Sequence, residues 1–479
     1  MIKKCTDVLF MLSALILASC VPASTSTVVP DSTPPAVATP TFQLYTPTGP
    51  PTSTSTQVTY YVAGTGNDSN PGTIDEPWQT IQKAADTLTA GEVVQIRGGT
   101  YHEQVLPLNS GEPGDEIVYM AYPGETVTID GDGISLPDDL AGLFEVNDKS
   151  YIRISGLRVI NAGPFANNAG ILVAFSNHIT IENNITLNTM SSGIGVWDSR
   201  QILIDGNTVE QAGLGGGQEC ITVAITSDFE VRNNTVIDCQ KEGIDAKDGS
   251  SNGRVHRNIV DHSRAVGIYV DAWDKYTHDI EVFDNIVHDT ENDGFALASE
   301  MGGLLENIRL YNNIAYNNRF LGINLSQNGD SDVHPMQDIF LINNTIVGNG
   351  VGDWGGGITI DSYEVSNVVV RNNIVSNNLS FQIVVGPGVP LAQVSVDHNL
   401  IDGFRDYEGE TYGDDYVEDD PMFLDPDSGD FHLQPGSPAV DAGSPSDLPS
   451  ADFEGNARSQ DGTSPPDIGA YEFGVSLSP

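Results

Sequence analysis

The chain is short of positive charge. Twenty Lys and Arg stand against 66 Asp and Glu, a formal net charge of −46 over 479 residues. Phosphate binding needs a basic surface, so nucleic acid is excluded as a partner. An acidic glycan would need local lysines or a bound cation to approach. Otherwise such acidity serves solubility in an extracellular or salty medium. Aromatics are sparse at 8%. Long apolar runs are missing too: the stretch from Val8 to Leu17 is too short to span a bilayer. Beyond residue 20 only Cys220 and Cys239 remain of the four cysteines, and two cysteines do not decide whether they pair. His256, His262, His278 and His288 lack metal-ligand spacing and read as loop or turn residues.

Two segments come before any fold. Lys3 and Lys4 precede the apolar run, which ends Leu17-Ala18-Ser19-Cys20. This resembles the bacterial lipoprotein signal, in which a small residue precedes a lipidated Cys. It implies a signal peptide over 1–20, a mature chain beginning at lipid-modified Cys20, and a membrane held through that anchor at the cell surface. Residues 21–57 are rich in Pro, Ser and Thr and read as an extended tether.

Glycine is plentiful, with 50 residues, and it falls in step with a repeat. Asn recurs at 184, 207, 234, 258, 285, 313, 344, 373 and 399, at intervals of 23 to 31 residues. Apolar pairs sit three and five residues before it, as in Ile179/Ile181, Ile202/Ile204 and Val368/Val370. Gly253/Val255 alone breaks that pattern. A second strand starts at Gly170, Gly193, Gly243, Gly267, Gly294, Gly322 and Gly357, with Cys220 once in place of Gly. Apolar residues at the first and third positions after the Gly give a period of two, which is a strand with one buried face. Short strands at this interval, with no helical period through them, predict a solenoid. Asn side chains stacked at one bend hydrogen-bond along the axis as a ladder, so these Asn are structural. The pattern is similar to right-handed parallel β-helix proteins of the pectate-lyase type. The predicted fold is all-β: a parallel β-helix from about residue 90, repeats over 144–401, an N-terminal cap and first coils over 58–143, and a C-terminal cap over 402–479. The N-terminal cap contains a helix with Trp78, Ile81, Ala84, Ala85 and Leu88 on one face, which shields the open end of the solenoid. The chain reads as a monomer.

Chemistry concentrates on three successive Gly strands. Stacking them places Asp245 under Tyr269 and Lys247 under Asp271, about one strand spacing of 4.8 Å apart. Glu300 follows one coil above Asp271. Two carboxylates facing a groove are what glycoside hydrolysis requires, one as general acid and one as nucleophile or base. Ala296, Ala298 and Ser299 leave room for a sugar, with Tyr269, Trp273, Asn324 and Trp354 as substrate-binding candidates. A lysine beneath Asp271 would hold that carboxylate ionised, as a nucleophile; partial burial of Glu300 would suit it as the acid.

Gly267-Ile-Tyr-Val-Asp271-Ala-Trp273, followed by Phe295-Ala-Leu-Ala-Ser-Glu300-Met-Gly-Gly303, is similar to β-helical glycosidases of the family 120 β-xylosidase type. The resemblance implies Asp271 as nucleophile and Glu300 as acid/base, with no cofactor. A His expected after the Glu is replaced by Gly302-Gly303, and the large inserted domain of that family is absent. The alternative resemblance is to family 9 polysaccharide lyases, which use a Lys base beside Asp-bound Ca²⁺. It implies Lys247 as base and Asp245, Asp248, Asp271 and Asp274 as oxygen ligands. A protonated Lys247 argues against it. The third reading is a non-catalytic glycan-binding adhesin.

Overall fold

The computed structural model describes residues 58–327, 329–459 and 464–474. The signal segment, the lipidation site Cys20 and the tether up to Gln57 lie outside the described residues. The architecture is a right-handed parallel β-helix of three long sheets with 13, 13 and 10 strands. Strands of each sheet pair in parallel, coil upon coil, in register. The solenoid begins earlier than the repeat suggests, because Thr59–Val62 already pairs with Val93–Ile96.

The Asn residues form one axial row. Each side-chain amide donates to the next Asn Oδ1 at 2.9–3.0 Å, from Asn184 through to Asn399. Each also donates to a backbone carbonyl of the first sheet, as Asn258 does to Val231 at 3.0 Å. The residue before the ladder Asn adopts the left-handed conformation, as Asn183, Asn233, Asn312, Asn343 and Asn372 do. Asn tolerates that conformation, which explains the doubled Asn at these corners. A second left-handed corner follows five residues on, at Asn188, Asp238, Asp289, Asn317 and Asn377. These two corners bracket the three-residue strands of the second sheet.

Two further ladders were not read from the sequence. Asn318, Asn349, Asn378 and Gln382 bond in series at 2.8–3.0 Å. Ser176, Ser199, Thr226, Ser250 and Thr277 accept backbone N–H groups from the preceding coil at the third corner. The Gly rule reflects space: a Cβ on Gly267 would stand 2.1 Å from the Val287 side chain. The Gly253 exception is also packing, since the Phe229 ring of the coil before occupies the place where its Cβ would be, 2.1 Å away.

At the N-terminal end the helix Ile81–Thr87 is capped by Thr80, whose hydroxyl accepts from Lys83 N–H. Trp78 belongs to the extended chain before it, bridged to Val62, so the helix is shorter than its apolar face implies. All five face residues are buried. The C-terminal segment packs along the side of the solenoid, with Phe423, Phe431, Leu433, Ile468 and Tyr471 against Ile314, Ile374 and Leu400 of the second sheet. Arg458 is fully buried there and ion-paired with Glu472. Cys220 and Cys239 are joined in a disulfide, Cα to Cα 5.9 Å.

Candidate active site on the third sheet

Three adjacent strands of the third sheet, Ile244–Lys247, Ile268–Asp271 and Phe295–Ala298, carry the acidic residues. Ile244, Ala246, Ile268, Val270, Phe295 and Leu297 point into the solenoid core. The alternate residues face outward, and Tyr269, Ala296 and Ala298 form a separate small apolar cluster with Val266. The expected register holds: Asp245 pairs with Tyr269, and Asp271 with Ala298.

The expected partner of Lys247 is corrected. Its ammonium does not reach Asp271; it binds Glu219 Oε1 at 2.7 Å and lies 3.6 Å from Asp245. Glu219 has no exposed side-chain surface and is shared with Lys241 at 2.9 Å. Burial pushes the Glu219 carboxyl up, but the ammonium groups of Lys247 and Lys241 outweigh it and hold it at about 2. Lys247 is driven well above the usual lysine range, its burial outweighed by Asp245 and Glu219. It is a fixed cation.

Asp271 is therefore not the ionised carboxylate that stacking on a lysine implied. Burial, then the charges of Glu300 and Asp248, push it up to about 8, against smaller opposing effects from Lys247 and the Trp273 N–H. Asp245, fully enclosed, is raised well above its usual value by desolvation. One oxygen of each, Oδ1, has no hydrogen-bond partner. Glu300 is half-buried and accepts a short hydrogen bond from Tyr269 Oη. Tyr269 is 8% exposed, so it serves Glu300 and offers no open ring face.

Two glycine turns hold Glu300 in place. Gly303 N–H donates to the Trp273 carbonyl at 2.8 Å, and a Cβ there would lie 2.2 Å from the Lys275 carbonyl oxygen. This close approach of backbones accounts for Gly302-Gly303 where the resemblance leads one to expect His. Gly329 sits against the backbone of Glu300, where a Cβ would be 2.0 Å from its carbonyl oxygen. The loop after Gly322 thus walls the site. His334 of that loop bonds the Ser299 carbonyl through Nδ1 at 2.6 Å.

The remaining candidates divide. Trp273, 38% exposed, stands at the rim beside Asp271. Asn324 lies on the outward row two coils past Tyr269. Trp354 is a loop anchor, its Nε1 donating to Tyr407 Oη at 3.3 Å and its ring 5.8 Å from Phe381. Asp274 is exposed and paired with Lys275 at 3.2 Å. Asp248 is pushed up by burial, with Lys247 and Lys275 opposing. Asp245, Asp248 and Asp274 do not converge on one point. Among the described residues the acid and histidine groups whose donor atoms do converge, within 4.8 Å, are Asp261, His288 and Asp289 on the second sheet. Coil-to-coil register brings Asp261 against His288, which spacing along the chain conceals.

Glu219, Glu242 and Asp293 are the residues that sequence reasoning missed. All three occupy the position just before the Gly, or before Cys220 where it replaces Gly, so reading that column would have exposed them. A concavity of about 710 Å³ also lies on the first sheet, lined by Tyr151, His178, Glu116 and Glu230. Two of its acids are ion-paired: Glu116 with Arg153, and Glu230 with Arg232 and His256.

Comparison with known proteins agrees with this architecture. The chain is 29% identical over 437 residues to the uncharacterized protein YwoF of Bacillus subtilis (strain 168), covering 79% of this chain and 91% of that one. It is 37% identical over 140 residues to pectate lyase PEL9 of Emericella nidulans, which is 26% of this chain and 33% of the lyase. The solved structure of XylC with xylose shares the fold, with a TM-score of 0.57 at 13% identity over 87% of this chain and 98% of that one. The family model described as Pel9A-like, right-handed β-helix region, matches residues 60–351, which span the N-terminal coils and every strand of the acidic site. On that match, and on the parallel coils that embody it, the chain belongs to the Pel9A-like right-handed β-helix family.

Proposed function

We propose that this protein is a carbohydrate-active enzyme that hydrolyses glycosidic bonds of a poly- or oligosaccharide. Asp271 acts as general acid and Glu300 as nucleophile or base, the reverse of the roles the sequence suggested. The observation that carries the reading is the state of Asp271. Its carboxyl is held protonated to about pH 8, with one oxygen free of protein partners, beside a second carboxylate oriented by Tyr269. Burial that keeps one carboxyl protonated at neutral pH is how a carboxylic acid becomes a proton donor. Asp271 delivers its proton to the leaving oxygen. Glu300 supplies the negative charge opposite, and the Tyr269 hydroxyl fixes its orientation. Lys247 and Glu219 neutralise each other beneath the site, and Lys247 takes no proton.

A cation-assisted lyase is the second reading. It is favoured by the stretch of identity to a pectate lyase and by the unpartnered, buried Oδ1 atoms of Asp245 and Asp271. Those oxygens are hard donors suited to Ca²⁺. A bound Ca²⁺ would offset the charge of a uronate substrate. The chain would still need a base, and Lys247 is locked as a cation between Glu219 and Asp245. Hydrolysis by the Asp271 and Glu300 pair needs no lysine base, and is preferred. Anchoring at Cys20 would display the solenoid on the cell surface.

Products decide between the readings. Neutral and uronic-acid glycans are incubated with the full chain and assayed for new reducing ends and for ultraviolet absorbance of unsaturated uronides. New reducing ends without absorbance, unchanged by a chelator, are expected. Absorbance that disappears with the chelator replaces hydrolysis by elimination. Silence on every glycan leaves a glycan-binding adhesin.

A further inference from the structure

The outward row that carries Tyr269 does not end at the acid pair. It continues through Ala296 to Asn324 and Thr359 on the next strands of the third sheet. Asn324 is 8% exposed and Thr359 is 2% exposed. Burial of this depth normally comes with hydrogen bonds. Asn324 Oδ1 and Thr359 Oγ1 have none. Strand spacing sets these residues about 4.8 Å apart along the sheet.

The direction of the Asn324 amide is set chemically. Its Nδ2 donates to Asp293 Oδ2 at 2.8 Å, and Asp293 Oδ1 takes the Leu321 N–H at 3.0 Å. Burial pushes the Asp293 carboxyl up to about 6, against the Asn324 and Leu321 hydrogen bonds, so above that pH it is ionised, only accepts, and must face the NH₂ side of the amide. The carbonyl oxygen of Asn324 is left as a pure acceptor. Ala296 and Ala298, on the strand before, keep the floor between this pair and Asp271 low.

We infer that Asn324 and Thr359 form a sugar subsite that binds the hydroxyl groups of a neutral unit, with Asp293 as the positioning residue that fixes the amide. This rests on the reading of the site as one that cleaves glycans. The chemistry selects against a uronate here. A carboxylate would meet the lone pairs of Asn324 Oδ1, with Asp293 immediately behind it and Asp361 two residues beyond Thr359. Lys247, three strands away on the same sheet, is committed to Glu219.

The test uses the full chain carrying Asp271→Asn, so that ligands bind without turnover. Hexasaccharides of xylan, glucan, mannan and galactan, and hexagalacturonate, are titrated calorimetrically. A neutral hexasaccharide is expected to bind, and Thr359→Val and Asn324→Leu are each expected to weaken it by about tenfold, the size of one lost hydrogen bond. Asp293→Asn should weaken it similarly while touching no ligand, because the new amide lets Asn324 turn round. Thr359→Val keeps the side-chain shape, so it stands as the test if Asn324→Leu fails to fold. Neutral binding of unchanged affinity in all three variants overturns the subsite and leaves glycan cleavage intact. Hexagalacturonate as the tightest ligand also overturns it. No binding of any hexasaccharide overturns both the subsite and the glycan reading.

Discussion

Two rows of buried polar residues run along the same solenoid, and they are treated in opposite ways. In the Asn ladder each amide bonds both the next Asn and a backbone carbonyl. On the third sheet Asp245, Asn324 and Thr359 of one outward column, and Asp271 of the column beside it, are also buried, yet each keeps one oxygen without a partner. Buried polar groups with complete networks rigidify and specify a fold, whereas an unsatisfied one carries a desolvation penalty. The ladder belongs to the scaffold. The open row belongs to whatever docks on it. Variants that separate stability from activity are the way to break or sharpen this contrast.

The largest effect is expected in the open row. Asp271→Asn and Glu300→Gln should each lower kcat/KM by about 10²–10⁴, the usual range for a lost acid or base. Neither should lower the urea midpoint. Near-normal turnover in Asp271→Asn would move the chemistry elsewhere on the solenoid. The same variant reports on pH. A folded pKa of about 8 lies above the ordinary unfolded value, so the native state holds the Asp271 proton more tightly between about pH 4 and 8. That contribution to stability is fully present at low pH and is lost as pH rises through about 8. Asp271→Asn should therefore flatten the decline of unfolding free energy across this window.

Next in size is the pair beneath the site. Lys247→Met leaves buried Glu219 with Lys241 alone, and breaking such a pair costs about 3–5 kcal/mol. The Lys247 charge also pulls the Asp271 pKa down, so its removal should push that pKa above about 8. Activity that requires the Asp271 proton would then persist to higher pH. An unmoved alkaline limb in the pH–rate profile of this variant would show that a different group donates the proton.

In the ladder, Asn258→Ala removes donors to Val231 and Asn285 and an acceptor for Asn234. A loss of about 3 kcal/mol is expected, since partners on both sides stay buried and unpaired. Activity per folded molecule should be unchanged. A variant that folds normally but turns over poorly would mean that ladder and groove are not separate.

The scaffold was largely legible in the sequence because it repeats. Period two assigns faces, the Asn interval assigns coils, and the outward columns through Tyr269 and Asp271 follow by addition. The electrostatics were not legible in the same way. A column of Cα positions places Lys247 under Asp271, but a long flexible side chain bonds wherever an acid is nearest. That acid, Glu219, stands in the column just before the Gly position, outside the two outward columns of the Gly strand itself. Trp354 shows the same limit: whether an aromatic in a loop faces a ligand or a neighbouring Tyr407 is decided by loop path.

The smallest expected effect is the sharpest for the contrast. Thr359→Val removes an unpartnered hydroxyl from a residue that is 2% exposed, and it keeps a β-branched side chain suited to a strand. If the hydroxyl is unpaired in the free protein, its loss relieves a penalty and leaves no partner stranded. Unfolding free energy should then be unchanged or higher, by no more than about 1 kcal/mol. The ladder variant Asn258→Ala changes stability in the opposite direction. Urea denaturation of the two variants at one pH gives both signs in a single experiment. A loss of more than about 1 kcal/mol for Thr359→Val would mean that its hydroxyl is bonded within the free protein. The two rows would then obey one rule, and the distinction between scaffold and docking surface would have to rest on the carboxylates alone.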